Sequence, residues 1–167
     1  MRNSGCVAMV GAVAALMVWC GVPAAQDSIT GLARVIDGDT IEIRGERIRL
    51  EGVDTPERYQ RCLDGDGRSY RCGDTATEAL RRAIGSSPVR CDLKAERGRW
   101  GRAIGFCYGW DGRELNRWLV RQGYGLAYRK YSRRYVAEER GARAARRGMH
   151  SGRYVEPWKW RRGERLK

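Results

Sequence analysis

Histidine is almost missing from this chain: 167 residues contain one, His150. A Ser-His-Asp triad has only that residue to draw on, and a zinc centre built on two or three imidazoles is excluded. A hydrolase made from this sequence must move its protons with carboxylates, arginines or metal-bound water. The six cysteines include no Cys-x-x-Cys pair, which speaks against a four-cysteine zinc site. Acids are scarce beside bases. The 20 Asp and Glu stand against 33 Lys and Arg, a formal net charge of +13. That excess points to a polyanionic partner, whether nucleic acid, an acidic membrane face or an acidic polysaccharide, without choosing among them. Long repeats are also absent. Hydrophobic residues make up 42% of the chain, so composition does not make it disordered, and the length fits one domain.

The first 25 residues stand apart. They carry Arg2 and no acid, then an apolar stretch from Cys6 to Trp19, then small residues at Pro23-Ala24-Ala25. That is the order of a secretory signal, with an uncleaved membrane anchor as the rival reading. Removing the segment takes away one basic residue and leaves +13 − 1 = +12, so the basic character belongs to the mature domain. It also leaves Cys62, Cys72, Cys91 and Cys107. An even number in an exported chain implies disulfides, with three pairings open. Cys62–Cys72 is favoured because it closes a polar loop, and Cys91–Cys107 because both lie in strand-like segments.

Leu32–Ile36 and Thr40–Ile43 read as short strands around Asp37-Gly38-Asp39, and Glu46–Val53 alternates apolar and charged residues as a half-buried strand does. Residues 58–73 are polar and glycine-rich, a loop. Thr75-x-x-Glu78 is a capping-box signal, and Ala76, Ala79, Leu80, Ala83 and Ile84 then share a helical face that stops at Gly85. Pro88–Leu93 and Arg102–Tyr108 read as strands. Helices are expected over Glu114–Gln122 and Val136–Arg147, with an extended tail from Ser151. Several short strands followed by helices imply an α+β arrangement, a small β-barrel carrying about three helices. The domain plan is a leader over 1–25, a folded body over 26–150 and a basic, aromatic tail over 151–167.

Two acidic turns carry the chemistry. One is Asp37-Gly38-Asp39-Thr40; the other is Val53-Asp54-Thr55-Pro56-Glu57, after a strand bearing Arg49. Each alone is ordinary turn chemistry. Together they can bring carboxylates onto a hard, oxygen-seeking cation. The ordered set Val35-Ile36-Asp37-Gly38-Asp39-Thr40, Arg49-Leu50-Glu51-Gly52-Val53-Asp54-Thr55-Pro56-Glu57, Trp100-Gly101-Arg102 and Leu119-Val120-Arg121-Gln122-Gly123 resembles the staphylococcal nuclease family from about Leu32 to Gly148. The resemblance implies an OB-fold: a five-stranded barrel with packed helices. It implies Ca²⁺-dependent hydrolysis of DNA and RNA that leaves 3′-phosphate ends. It makes Asp39, Asp54 and the carbonyl of Thr55 calcium ligands, Glu57 the general base, and Arg49 and Arg102 the phosphate clamps, with Asp37 a turn former or outer group.

The chain departs from the family where Trp100 replaces the commoner tyrosine and Gly98 a common acid. Arg99 and Trp100 fall where the family holds a terminal phosphate and nucleotide, which charge and stacking can still do. Of Tyr124, Tyr128 and Tyr131, the last two are assigned to the nucleotide site. Asp64-Gly65-Asp66-Gly67 resembles a calcium loop, but Ser69 and Thr75 stand where that loop needs glycine and glutamate, so it reads as surface. Trp158-Lys159-Trp160-Arg161-Arg162 interleaves aromatics and cations as single-strand binders do, although packing on the barrel is its simpler role. His150 reads as a surface or helix-end residue. The expectation is an exported, monomeric nuclease acting on DNA and RNA, with no protein partner implied and a membrane link only through an uncleaved anchor. The rival is a non-catalytic OB-fold module that binds nucleic acid.

Overall fold

A computed structural model describes residues 27–166; the expected leader lies outside the described residues. The body is built from strands β1 (Ser28–Asp37), β2 (Thr40–Ile43), β3 (Glu46–Leu50), β4 (Val53–Asp54), β5 (Cys62–Leu63) and β6 (Ser69–Tyr70), then helix α1 (Cys72–Ile84). There follow β7 (Pro88–Leu93), β8 (Ala103–Tyr108), α2 (Leu115–Arg121), β9 (Leu126–Ala127), α3 (Val136–Ala144) and a single helical turn, α4 (Pro157–Trp160). Five strands close a barrel in the order β1-β2-β3-β8-β7, so the fold is the expected α+β OB barrel with three main helices. All the barrel pairs are antiparallel except β3 with β8.

Alternation drives the barrel. Ile41 and Ile43 on β2 and Ile48 and Leu50 on β3 turn inward and are buried, while Arg47 and Arg49 turn outward. Each aliphatic side chain so buried contributes about 1.5–3 kcal/mol. Cys91 and Cys107 are register partners on β7 and β8 and are bonded to each other, and Cys62 is bonded to Cys72. Both favoured pairings are therefore present.

Several local expectations are corrected. The 58–73 loop holds a two-stranded ribbon, β5 with β6. Helix α1 starts at Cys72 and not at the Thr75 capping box; its preceding residue, Arg71, makes no side-chain cap. Two contacts account for the early start. The disulfide ties Cys72 to β5, and Gly73 lies so close to the backbone of Glu57 that an added Cβ would sit 1.9 Å from the Glu57 carbonyl oxygen. β3 ends at Leu50 because Gly52, at φ +72°, turns the chain out of the barrel and into β4, which pairs with β9.

The tail is extended only in part. Arg153 pairs with Leu63, and the chain then makes one helical turn with Pro157 in its first position and a Lys159–Glu156 ion pair at 3.0 Å. Proline suits that position because its missing N–H would have no helical partner there.

His150, expected at the surface or at a helix end, lies in the last turn of a 3-10 segment (Gly148–Ser151) after α3, and its ring is half-buried. Nδ1 lies 3.0 Å from the Tyr154 hydroxyl, and Nε2 is buried with no hydrogen-bond partner. Burial, with the charge of Arg143, holds its pKa down at about 4 against an ordinary 6.5. The unfolded chain then takes up the proton first as pH falls. The neutral ring's contribution is complete above pH 6.5 and is lost on the way to about 4. Urea unfolding of the protein and of His150→Gln across this range is expected to show the wild type losing more stability. Parallel losses would remove His150 as the cause.

Candidate active site

The bulged end of β1 and the short turn after it set the first acidic group. Asp37 Oδ1 accepts the Asp39 backbone N–H at 3.0 Å, so Asp37 is the turn former. Burial, and then the neighbouring charge of Asp39, push the Asp37 carboxyl up to about 6. Asp39 is buried. Its Oδ1 accepts from Arg49 Nη1 at 2.6 Å and its Oδ2 from the Thr55 backbone N–H at 3.2 Å.

The second turn faces the first. Asp54 on β4 is 0% exposed, and its Oδ1 accepts from Arg49 Nη2 at 2.9 Å. Arg49, projecting outward from β3, thus holds one carboxylate with each nitrogen. Burial opposes the charge on Arg49, but Asp39, Asp54 and Asp37 outweigh it and raise its pKa. Asp54 itself is raised above its ordinary value, chiefly by burial.

Glu57 follows one turn later. Its backbone N–H donates to Gln60 Oε1 at 3.2 Å and its carbonyl accepts the Gln60 N–H at 2.7 Å. Gln60 is fully buried and donates from Nε2 to the Val155 carbonyl at 2.6 Å, tying the Glu57 turn to the tail. The sequence reading missed Gln60, because a buried glutamine between exposed residues has no periodic signature. It also gave Arg161 no role at the site. Arg161, just past α4, donates from Nη1 to Glu57 Oε1 at 2.6 Å and to Asp54 Oδ1 at 3.1 Å, and from Nη2 to Asp54 Oδ2 at 2.7 Å. The only hint was the aromatic and basic run 158–162.

Two arginines thus bracket three carboxylates gathered from separate turns: Asp39, Asp54 and Glu57. Among the described residues no group of three or more His, Cys, Asp or Glu is arranged to hold a metal ion unaided. Asp39 and Asp54 nevertheless present oxygens to a single guanidinium, so they converge. Two carboxylates eked out by backbone carbonyls and water make an all-oxygen set that fits a hard dication.

The remaining assigned residues divide between two grooves. A cavity of about 820 Å³ runs from Arg161 past Tyr128, Trp158, Lys130 and Arg99. Tyr128 stacks on Trp158 with ring centres 5.8 Å apart and meets Tyr131 edge-on at 5.0 Å. Tyr124 instead packs against Trp118 at the core. Arg102 and Trp100 line a second groove with Arg47 and Arg97, and Arg102 Nε reaches the Arg99 carbonyl at 3.4 Å. Arg49 is opposite Ile104 in the β3–β8 pair, so Arg102 sits two residues away on the same outer face. Among the described residues no bond joins Arg102 to the acidic cluster. Trp100 is 85% exposed at φ 65°, with Arg99 over its ring.

Several known proteins have similar sequences. Residues 47–152 match the family described as staphylococcal nuclease homologue. A micrococcal nuclease of Shigella flexneri is 30% identical over 98% of this chain and 97% of its own. An uncharacterized endonuclease of Escherichia coli O157:H7 is 33% identical over 78% of this chain and 82% of its own. A succinoglycan biosynthesis protein of Rhizobium meliloti is 47% identical over 68% of this chain, which spans 60% of that protein's length.

Proposed function

The chain belongs to the staphylococcal nuclease family, and on that premise we propose that it is a calcium-dependent endonuclease that hydrolyses DNA and RNA and leaves 3′-phosphate ends. The observation that carries the reading is the convergence of Asp39, Asp54 and Glu57 around Arg49 and Arg161, the latter also lining a basic, aromatic cavity.

Asp39 and Asp54, with the Thr55 carbonyl, would hold the ion. When bound, it cancels charge on a non-bridging phosphate oxygen and orients the ester. The rest of the work falls to the chain. Glu57 takes a proton from water, which attacks phosphorus; the bond to the 5′ oxygen breaks, and that oxygen leaves with the bonding pair and takes a proton from solvent. The guanidiniums of Arg49 and Arg102 bond the phosphate oxygens as negative charge builds, a task that suits two planar forks better than lysines. Arg99, Trp100, Tyr128 and Tyr131 take the flanking phosphate and bases by charge and stacking.

Export is part of the same proposal. Two disulfides suit an oxidising compartment. Among the described residues no helix is long and apolar enough to cross a membrane. The protein acts as a monomer on nucleic acid.

The test is incubation of the purified protein with single- and double-stranded DNA and with RNA, in Ca²⁺ or in EGTA. Cleavage is expected in Ca²⁺ and none in EGTA. Binding that persists in EGTA, with no cleavage in Ca²⁺, would favour the non-catalytic module instead.

A further inference from the structure

The tail is fastened to the acidic cluster at successive points. Arg153 exchanges two backbone hydrogen bonds with Leu63, at 2.8 and 3.1 Å. Val155 accepts from Gln60 at 2.6 Å, Trp158 stacks on Tyr128, and Arg161 lies across Asp54 and Glu57. The last of these contacts is the one that reaches the carboxylates. The strap therefore delivers one guanidinium to the place where an ion held by Asp54 would have to sit.

We propose that Arg161 is a positioning residue that competes with the divalent cation for Asp54 while holding Glu57, so that the C-terminal strap sets the ion affinity of the site. This rests on the reading of Asp39 and Asp54 as ion ligands. The argument is one of charge and shape. Both oxygens of Asp54 are engaged by Arg161, and Nη1 bridges to Glu57. A dication on the same oxygens meets a like charge at contact range in a site of low effective dielectric, and the repulsion drives one of them away.

Of the two arginines, Arg161 is the one able to leave. Arg49 stands on a barrel strand, is less exposed, and is shared between Asp39 and Asp54. Arg161 follows a single helical turn, and its side chain and that of Glu57 are 36% and 37% exposed. Arg161 already lies over the Tyr128 ring, 6.0 Å away, on the wall of the cavity, so that ring is the surface nearest to hand when the carboxylates let go. Arg161 there adds a positive charge beside the path of a phosphodiester, while Glu57 is freed to accept a proton.

The test is calorimetric titration of Ca²⁺ into the full chain without substrate, for the wild type, Arg161→Gln, Arg161→Lys and Asp54→Asn. Arg161→Gln is expected to bind Ca²⁺ roughly tenfold more tightly, within the usual range of coupling between two sites. Arg161→Lys, which keeps the charge but cannot fork onto both carboxylates, should fall between, and it carries the comparison should the glutamine variant fold poorly. By the same linkage, Ca²⁺ should raise the melting temperature of Arg161→Gln more than that of the wild type. Unchanged or weaker Ca²⁺ binding in both Arg161 variants, with Asp54→Asn abolishing it, overturns the competition and leaves the ion site intact. Calcium binding that is absent or indifferent to Asp54 overturns the ion site itself, and the competition with it.

Discussion

Glu57→Gln is expected to lower kcat by about a hundredfold or more, the size of effect that follows loss of a general base, and Arg49→Ala to do at least as much. Glutamine has nearly the shape of glutamate and can still accept from the Arg161 guanidinium, which reaches Glu57 Oε1 at 2.6 Å. Its backbone partners through Gln60 are untouched. What it lacks is a basic oxygen, so the loss falls on turnover with little change in stability. Arg49→Ala differs. It removes the proposed phosphate donor and also leaves the buried Asp39 without the guanidinium that now holds it at 2.6 Å. Removing one partner of a buried ion pair costs about 3–5 kcal/mol, so this variant should also melt early. Steady-state cleavage by both purified variants at saturating Ca²⁺ is the measurement. Near-normal turnover in both would sink the assignment of the acidic cluster as the catalytic centre.

The second large effect is on stability. Asn116, on α2, is fully buried, and its amide joins three stretches of chain. Nδ2 donates to the carbonyls of Glu51 and Gly105 at 3.0 and 3.1 Å, and Oδ1 accepts the Cys107 N–H at 3.0 Å. Asn116→Leu fits an apolar side chain into similar space but strips Glu51 and Cys107 of these partners inside the protein. At about 1–3 kcal/mol for each of the two orphaned buried groups, the expected cost is about 2–6 kcal/mol. Urea unfolding should show a lower midpoint at an unchanged slope. A loss below about 1 kcal/mol would mean that the two backbone groups find other partners. Because Glu51 leads through Gly52 into Asp54, the variant should also loosen the acidic cluster.

Neither residue type announced its importance equally. Glu57 was legible because Arg49 and Asp54-Thr55-Pro56-Glu57, in that order, resemble the motif of the nuclease family; the residues alone showed only an acidic turn after a strand. Asn116 gave no sign, because its three partners come from β8 and from the turn after β3, and a single buried asparagine disturbs no apolar period. The barrel strands were readable from alternation, as at Ile41 and Ile43 or Ile48 and Leu50, and so were the helical faces of α1 and α2. The start of α1 was misread because the capping signal at Thr75 is local, whereas a disulfide and the tight fit of Gly73 against Glu57 are not. Local preference of a few tenths to about 1 kcal/mol yields to such contacts.

By itself the sequence determined the chemistry available: one histidine, an excess of arginine, two acidic turns and four cysteines beyond the apolar first 25 residues. It also determined the short-range order of strands and helices, because alternation and turn residues act over a few positions. The tertiary structure decided which of 33 basic residues meets which carboxylate. Asp54 and Arg161 are 107 residues apart, and no local pattern distinguishes that arginine from its many equivalents. Only closure of the barrel, with the tail drawn back along β5 and over Tyr128, makes one guanidinium the neighbour of Asp54 and Glu57.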